Sequence, residues 1–402
     1  MSITEGAGRP GRYDPDEHWV APDDGHDAGA DLRRPALDDG DVPTRVLIWR
    51  RFRRHRVGYV CFLLMAAVYL ALPFVEVLSP YLPNQINEDA IYAPPQGLYL
   101  FHEGSYVGLH TYPTATVYDV ETGLVRAETD WSRPLPVPVL TSCGAPYERG
   151  LMINPLLAAT GGSFRLICPP EDGNLFLLGS DRLGRDILSR IIFGARLSLT
   201  VGLIGVALSF AVGLLLGGMA GYFGGIIDAS VSRAIEIFRS LPELPIWLAL
   251  SAAVPVNWSP LSVFFMISII LGLLDWPGLA RAVRSKFLAL REEEYVKAAE
   301  LMGASPGRII LRHMTPNFMS HLIASASLSI PAMILGETAL SFLGLGLRPP
   351  AVSWGMMLED ARNLSAVELY PWLLIPMVPV IIAVLAFSFI GDALRDALDP
   401  YS

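Results

Sequence analysis

Six apolar stretches decide what this chain can fold into. A helix needs about 20 mostly apolar residues to cross the hydrocarbon of a bilayer. In lipid its backbone polar groups must be satisfied internally, which leaves helices or closed barrels. Residues 57–78, 198–222, 261–279, 318–345 and 372–390 read as spans 1, 2, 4, 5 and 6. Residues 241–256 read as span 3, short and opening on Pro242 and Pro245. Span 5 is interrupted by Pro331 and Gly336. The fold class read from this pattern is all-α integral membrane, with six transmembrane helices. Charge is as scarce as such a fold requires: 17% of residues, against about 25% in soluble domains. A collagen-like or wholly disordered chain is excluded, and three cysteines in 402 residues exclude a disulfide scaffold.

Charge also orients the spans. Arg50, Arg51, Arg53, Arg54 and Arg56 abut span 1, and basic residues beside a first span hold that end in the cytoplasm. Span 1 then exits outward, and after six crossings the C-terminus returns inside. The short inner loops carry nine Lys and Arg, seven of them between Arg281 and Arg312, against two in the short outer loops. A nucleic-acid patch is the rival reading of the arginine cluster. Its adjacency to a span favours membrane lipid, and no nucleic-acid partner is expected.

Residues 1–49 read as an acidic cytoplasmic tail. Within it, residues 1–43 carry eleven acids and four bases, a net charge of −7 against −9 for the whole chain. Rich in Asp, Gly and Pro and without apolar periodicity, it is expected to be disordered. It lacks the apolar core of a signal peptide. It is either a solvated tail or a docking tail. Residues 50–80 form the first span with its basic flank. Residues 81–196 lie outside, too long for a bare loop, and are expected to hold a small periplasmic lobe. Cys143 and Cys168 fall there; an oxidising exterior lets them pair, but sequence cannot fix their separation. Residues 197–402 form a five-helix core with a cytoplasmic loop at 281–317.

Two patterns in the core carry information. Span 2 has small residues at every fourth position: Gly205, Ser209, Gly213, Gly217, Gly221 and Gly225. They share one helix face and let another backbone come close, as a fixed seam or a sliding surface. In the loop, Glu293 and Lys297 have helix-favouring i,i+4 spacing, and Gly303 fits a helix end. Ser305 and Pro306 can then start a second short helix, and Pro316 marks a break before span 5. Ala298 and Ala299 are expected to leave a flat patch for a partner.

The pattern Ala298-Ala299, Gly303 and Pro316 resembles the EAA loop of bacterial ABC importer permeases. The stretches around Tyr295–Ser305 and Arg312–Asn317 are similar to the oligopeptide/dipeptide subfamily, as are 178–190, 340–346 and 391–400. Lys297 stands where that loop usually has Glu, and His313 and Thr315 where Ile and Leu are typical. The resemblance implies a permease subunit in the bacterial inner membrane. Its loop, with Tyr295, Lys297, Ala298, Ala299, Gly303 and Pro316, would present a coupling helix to an ATPase. It further implies a second homologous permease chain, ATP-binding subunits and an extracytoplasmic substrate-binding protein. Cargo within the class is oligopeptides or dipeptides, or alternatively oligosaccharides, glycosides or metal chelates.

A Walker A loop needs Gly-Lys followed by Ser or Thr, and neither Lys286 nor Lys297 follows a glycine. No cofactor is therefore expected in this chain, with ATP and Mg held by a partner ATPase, and catalysis is not expected of it. No Cys/His grouping has zinc-ligand spacing, so no metal is expected. Glu337, inside span 5, is the candidate pathway carboxylate; the other reading is a packing group bonded across helices. Asp275 and Glu243 read as interfacial. Asp181, Arg182, Arg185 and Asp186 read as a solvated, salt-bridged turn at the outer entrance. An ion-coupled secondary transporter is the reading from another class; it needs coupling carboxylates and usually inverted repeats.

Overall fold

The computed structural model describes residues 44–119, 124–143 and 163–398, so the expected disorder of 1–43 lies outside the described residues. Two compact units divide the chain, Met1–Leu47 and Ile48–Ser402. Helix α1 (Thr44–Arg54) starts within the stretch assigned to the tail, so 44–49 are helical. The chain bends at His55, whose Nδ1 accepts the Gly58 N–H, and continues as α2 (Arg56–Ala71) and α3 (Val75–Leu78).

The described residues between α3 and the next long helix form a lobe of short strands: β1 (Tyr99–His102), β2 (Ser105–Thr111), β3 (Thr114–Asp119), β4 (Leu124–Thr129), β5 (Leu135–Pro136), β6 (Val139–Ser142) and β7 (Phe164–Ile167). They form three antiparallel sheets, β1-β2-β5, β3-β4 and β6-β7. Cys143 and Cys168 are joined by a disulfide, with Cα atoms 6.1 Å apart.

Helix α4 (Ile187–Phe223) begins eleven residues before the apolar run at 198. Its first turns look loop-like because they hold Arg190 and Arg196. Both charges are paired: Arg190 Nη1 lies 3.1 Å from Asp181 Oδ2, and Arg196 Nη1 lies 2.8 Å from Glu76 Oε1. Asp186 caps the helix by accepting the Ser189 N–H at 2.7 Å. There follow α5 (Gly225–Ser240), α6 (Glu243–Ala252), α7 (Pro260–Leu290), α8 (Glu294–Leu301), α9 (Pro306–Arg308), α10 (Thr315–Phe342), α11 (Trp354–Leu358), α12 (Leu364–Leu369) and α13 (Met377–Leu398).

Among the described residues, five segments are long and apolar enough to cross a membrane: Arg56–Leu78, Ile187–Phe223, Pro260–Leu290, Pro306–Phe342 and Pro371–Leu398. The stretch read as span 3 holds a shorter apolar helix. Helix α6 has 10 residues, about 15 Å of rise, half of a hydrocarbon core. Pro242 precedes it and Pro255 follows, so it cannot lengthen at either end.

Close approaches give the packing directions. Gly205 lies against Gly272, Gly217 against Ala280, and Gly221 against Arg284 and Phe287. Numbers rise together, so α4 and α7 run parallel. The chain between Phe223 and Pro260 must therefore return to the starting side, and it does so in two pieces, α5 and α6. Helix α10 runs antiparallel to α4, pairing Ser198 with Glu337 and Gly202 with Ile330 and Ile334. Helix α13 packs antiparallel on α10 through Gly391 and Leu328, and α2 antiparallel on α13 through Gly58 and Ala393. One face of the bundle thus gathers the start of α2, the ends of α4, α7 and α13, and the loop after α7. Leu199, Ile267, Leu271, Ile334 and Leu340 are fully buried between these helices.

Candidate functional site

The loop after α7 is rigid because both its ends are continuous with long helices. Helix α8 ends in paired backbone bonds: the Gly303 N–H donates to Glu300 O at 2.9 Å and the Ala304 N–H to Ala299 O at 3.0 Å. This closure needs a left-handed residue just past the helix, and Gly303 supplies φ of 78°. Val296 and Ala299 are buried against Val283, Phe287, Ile309, Met314 and Phe318. The expected two-alanine patch is therefore one alanine wide: Ala298 is exposed, and Ala299 faces the core.

Lys297 pairs with Glu292 at 3.2 Å and not with Glu293, which stands at the helix N-cap. The Lys297 ammonium beside Glu292 holds that carboxyl below its ordinary range. Tyr295 Oη accepts from Asn317 Nδ2 at 2.8 Å. Tyr222, at the end of α4, donates to Glu300 Oε1 at 2.7 Å. Leu301 and Met302 stand 90% and 81% exposed at the tip, and no sequence periodicity pointed to them. Ser305 precedes α9 without a side-chain cap bond. Pro316 does not break the chain. It sits in the first turn of α10, after a wide turn at Ile309–Met314 in which the Thr315 N–H reaches back to Ile310 O.

Four of the ladder glycines form a seam with α7, Gly205 against Gly272 and three more beyond it. Gly213 meets Leu279, Gly217 the backbone of Ala280, and Gly221 that of Arg284. Gly225 does not belong to it: α4 has ended, Gly225 opens α5 with φ of 55°, and an added Cβ there would meet nothing within 4 Å. Asp228 on α5 is bound to Arg284 on α7, with Arg284 Nη2 2.7 Å from Oδ2.

Glu337 is 0% exposed. Its Oε1 accepts the hydroxyls of Ser341 and Ser353, each at 2.7 Å, and its Oε2 that of Ser198 at 3.4 Å. Each serine oxygen also accepts a backbone N–H, from Leu347, Met356 and Trp354 respectively. One carboxylate thereby pins α11 and the chain before it onto α4 and α10. Asp275 accepts from Ser209 at 3.0 Å, and Glu243 stands exposed at the start of α6.

Three of the four charged groups of the turn are buried, contrary to the solvated reading, while Arg182 is exposed and the turn is salt-bridged as expected. Asp181, Arg185 and Asp186 are 4%, 7% and 2% exposed, because Arg190 and Asp360 close over them. Arg185 Nε donates to Asp181 Oδ2 at 2.7 Å, and Arg182 Nε lies 2.7 Å from Asp360 Oδ1. Asp360, some 180 residues away in sequence, gave no local signal. The cluster borders a cavity of about 430 Å³ lined also by Asn84 and Glu359. Burial pushes Asp186 up to about 6, against the Ser189 hydrogen bonds that pull it down. Its folded-state pKa is raised, so its contribution to stability is full below about pH 4 and is lost as the pH rises through about 6. We expect Asp186→Asn to flatten this dependence, on the order of 2 to 3 kcal/mol, in unfolding midpoints measured between pH 4 and 7.

Among the described residues no group of three or more His, Cys, Asp or Glu is placed to hold a metal ion.

Residues 213–401 match the family described as binding-protein-dependent transport system inner membrane component. Residues 45–95 match the N-terminal TM domain of oligopeptide transport permease C. The oligopeptide transport system permease protein OppC of Haemophilus influenzae is 41% identical over 233 residues, 58% of this chain and 72% of that one. The dipeptide transport system permease protein DppC of Alkalihalophilus pseudofirmus is 40% identical over 251 residues, 62% and 79%. A chain of the MetNI methionine ABC transporter in an inward-facing form superposes on 53% of this chain and 98% of its own, at 19% identity and a TM-score of 0.41. By the family model and the two relatives near 40% identity, the chain belongs to the family of binding-protein-dependent transport system inner membrane components.

Proposed function

We propose that this chain is a membrane-spanning permease subunit of an ATP-driven importer whose cargo is oligopeptides or dipeptides. The carrying observation is α8. It is a short helix fixed to two long ones, with Ala298 open, Leu301 and Met302 projecting, and a direct bond from Tyr222 to Glu300. An apolar tip of this kind on a charged face suits insertion into a partner's groove. In this reading the face bearing α8 is cytoplasmic, and both termini lie in the cytoplasm as well. The lobe is periplasmic, and α5 with α6 completes a sixth crossing. ATP-binding subunits dock on α8, a second permease chain completes the path, and a substrate-binding protein delivers cargo from outside. The names of the OppC and DppC relatives support the peptide cargo.

The test is recovery of partners with the tagged chain from detergent-solubilised native membranes. An ATPase and a second permease are expected to co-purify. Ala298→Trp fills the only open alanine of α8 without entering the core, and is expected to lower ATPase recovery about ten-fold, equivalent to about 1.4 kcal/mol. A chain recovered alone under every nucleotide condition overturns the reading and favours an ion-coupled transporter.

A further inference from the structure

We propose that Asp275 lines a water-filled route through the membrane and supplies the counter-charge for a cationic group of the cargo, such as a peptide ammonium. The proposal rests on the importer reading and names the chemistry of its path.

Asp275 is not at a span end. It lies 15 residues into α7, about 22 Å from Pro260 and about 9 Å from Arg281, the first charge after it. A carboxylate at that depth is costly against lipid and faces a bundle interior or water. The other deep carboxylates are accounted for: Glu76 pairs with Arg196, and Glu337 is enclosed by three hydroxyls. Asp275 differs from both. It is only half-buried, and among the described residues it has one bond, from Ser209, and no cation within ion-pair distance.

Helix α7 has two open faces of opposite character. Leu261, Phe265, Ile269 and Leu273 repeat every four residues and are 62%, 46%, 39% and 42% exposed, a face suited to acyl chains. The second face lies about 160° round the helix from Leu273. It carries Asp275, Gly278, Ala282 and Ser285 at steps of three and four, so that they stack in line. Gly278 and Ser285 are exposed, and a Cβ on Gly278 would meet nothing within 4 Å. A file of small and polar groups with a carboxylate at its deep end suits water and a hydrated cation. Arg281 stands exposed beside this file, three residues after Gly278 and four before Ser285, and is turned about 120° from Asp275 itself.

The experiment uses the transporter assembled with its partner subunits, in a Cys61→Ala background, with Gly278→Cys as reporter. Cationic trimethylammonium-ethyl and anionic sulfonatoethyl methanethiosulfonates are compared, each rate normalised to that with a free thiol in water. The cationic reagent is expected to react about ten-fold faster, and Asp275→Asn to remove the preference. ATP-driven uptake of trilysine is expected to fall about ten-fold in Asp275→Asn while trialanine uptake holds. No labelling in either nucleotide-free or ATP-bound transporter overturns the proposal, since lipid or the second permease then seals the face. Labelling without charge preference, or an equal fall for both peptides, overturns it as well. If the importer reading itself fails, no ATP-driven uptake is found in the parent protein, and the labelling still reports water and charge at this face.

Discussion

Replacing Glu337 by alanine is expected to cost about 3 kcal/mol or more of stability, measured as denaturant unfolding of the purified protein in detergent. Three serine hydroxyls converge on this carboxylate, from α4, from α10 and from the turn before α11. Because each serine oxygen already accepts a backbone N–H, its proton has one productive direction. Alanine leaves three buried donors unmet and releases the tie on α11. Glu337→Gln keeps an acceptor in place of Oε1 and is expected to cost about 1 kcal/mol. The pair of variants separates two roles. A pathway carboxylate would lose uptake of cationic cargo in the glutamine variant without losing stability. A positioning carboxylate loses stability in the alanine variant and keeps uptake in the glutamine one.

The second large effect is expected at Gly217. A Cβ there would lie 2.4 Å from Ala280 O and 2.9 Å from Ala280 Cα, and neither atom can yield, because both are backbone. Gly217→Val is expected to force α4 and α7 apart and cost about 3 kcal/mol or more, at or beyond the upper range for overpacked cores. Folded protein recovered after detergent extraction, read by size-exclusion profile and melting temperature, is the measure. Gly278→Ala is the control, since its Cβ meets open space. It is expected to leave stability level or raise it by up to about 1 kcal/mol through helix propensity. Equal behaviour of the two variants would show that the seam is not sterically fixed.

Hydropathy located the five long helices, because it is a local sum over many residues. It misplaced boundaries wherever a distant partner neutralises a local charge. Arg190 and Arg196 look like loop residues until Asp181 and Glu76 are beside them. The same holds for the outer turn, whose lid, Asp360, comes from the far side of α10. The bounds of span 3 were misread for another reason: apolar residues at 241–256 satisfy a window average, while Pro242 and Pro255 limit the helix to ten residues. The glycine seam was legible as spacing, but its end was not, since Gly225 keeps the spacing after the helix has stopped. Glu337 was visible as a buried charge, but not its three hydroxyl partners. Asp275 was passed over because a sequence window cannot tell depth along a 31-residue helix.

Helix α4 acts as a rod about 55 Å long, since its 37 residues rise about 1.5 Å each. Arg190 lies one turn from its first residue and Tyr222 at its last turn, each held by a polar contact of about 3 Å. A stiff rod pivoting on its midpoint by about 5° carries its two tips about 2.4 Å in opposite directions. That displacement exceeds the tolerance of a hydrogen bond. Both contacts survive such a tilt only if Asp181 at one end and Glu300 at the other travel with the rod, so a change of alignment at one end is registered at the other without any bend in between.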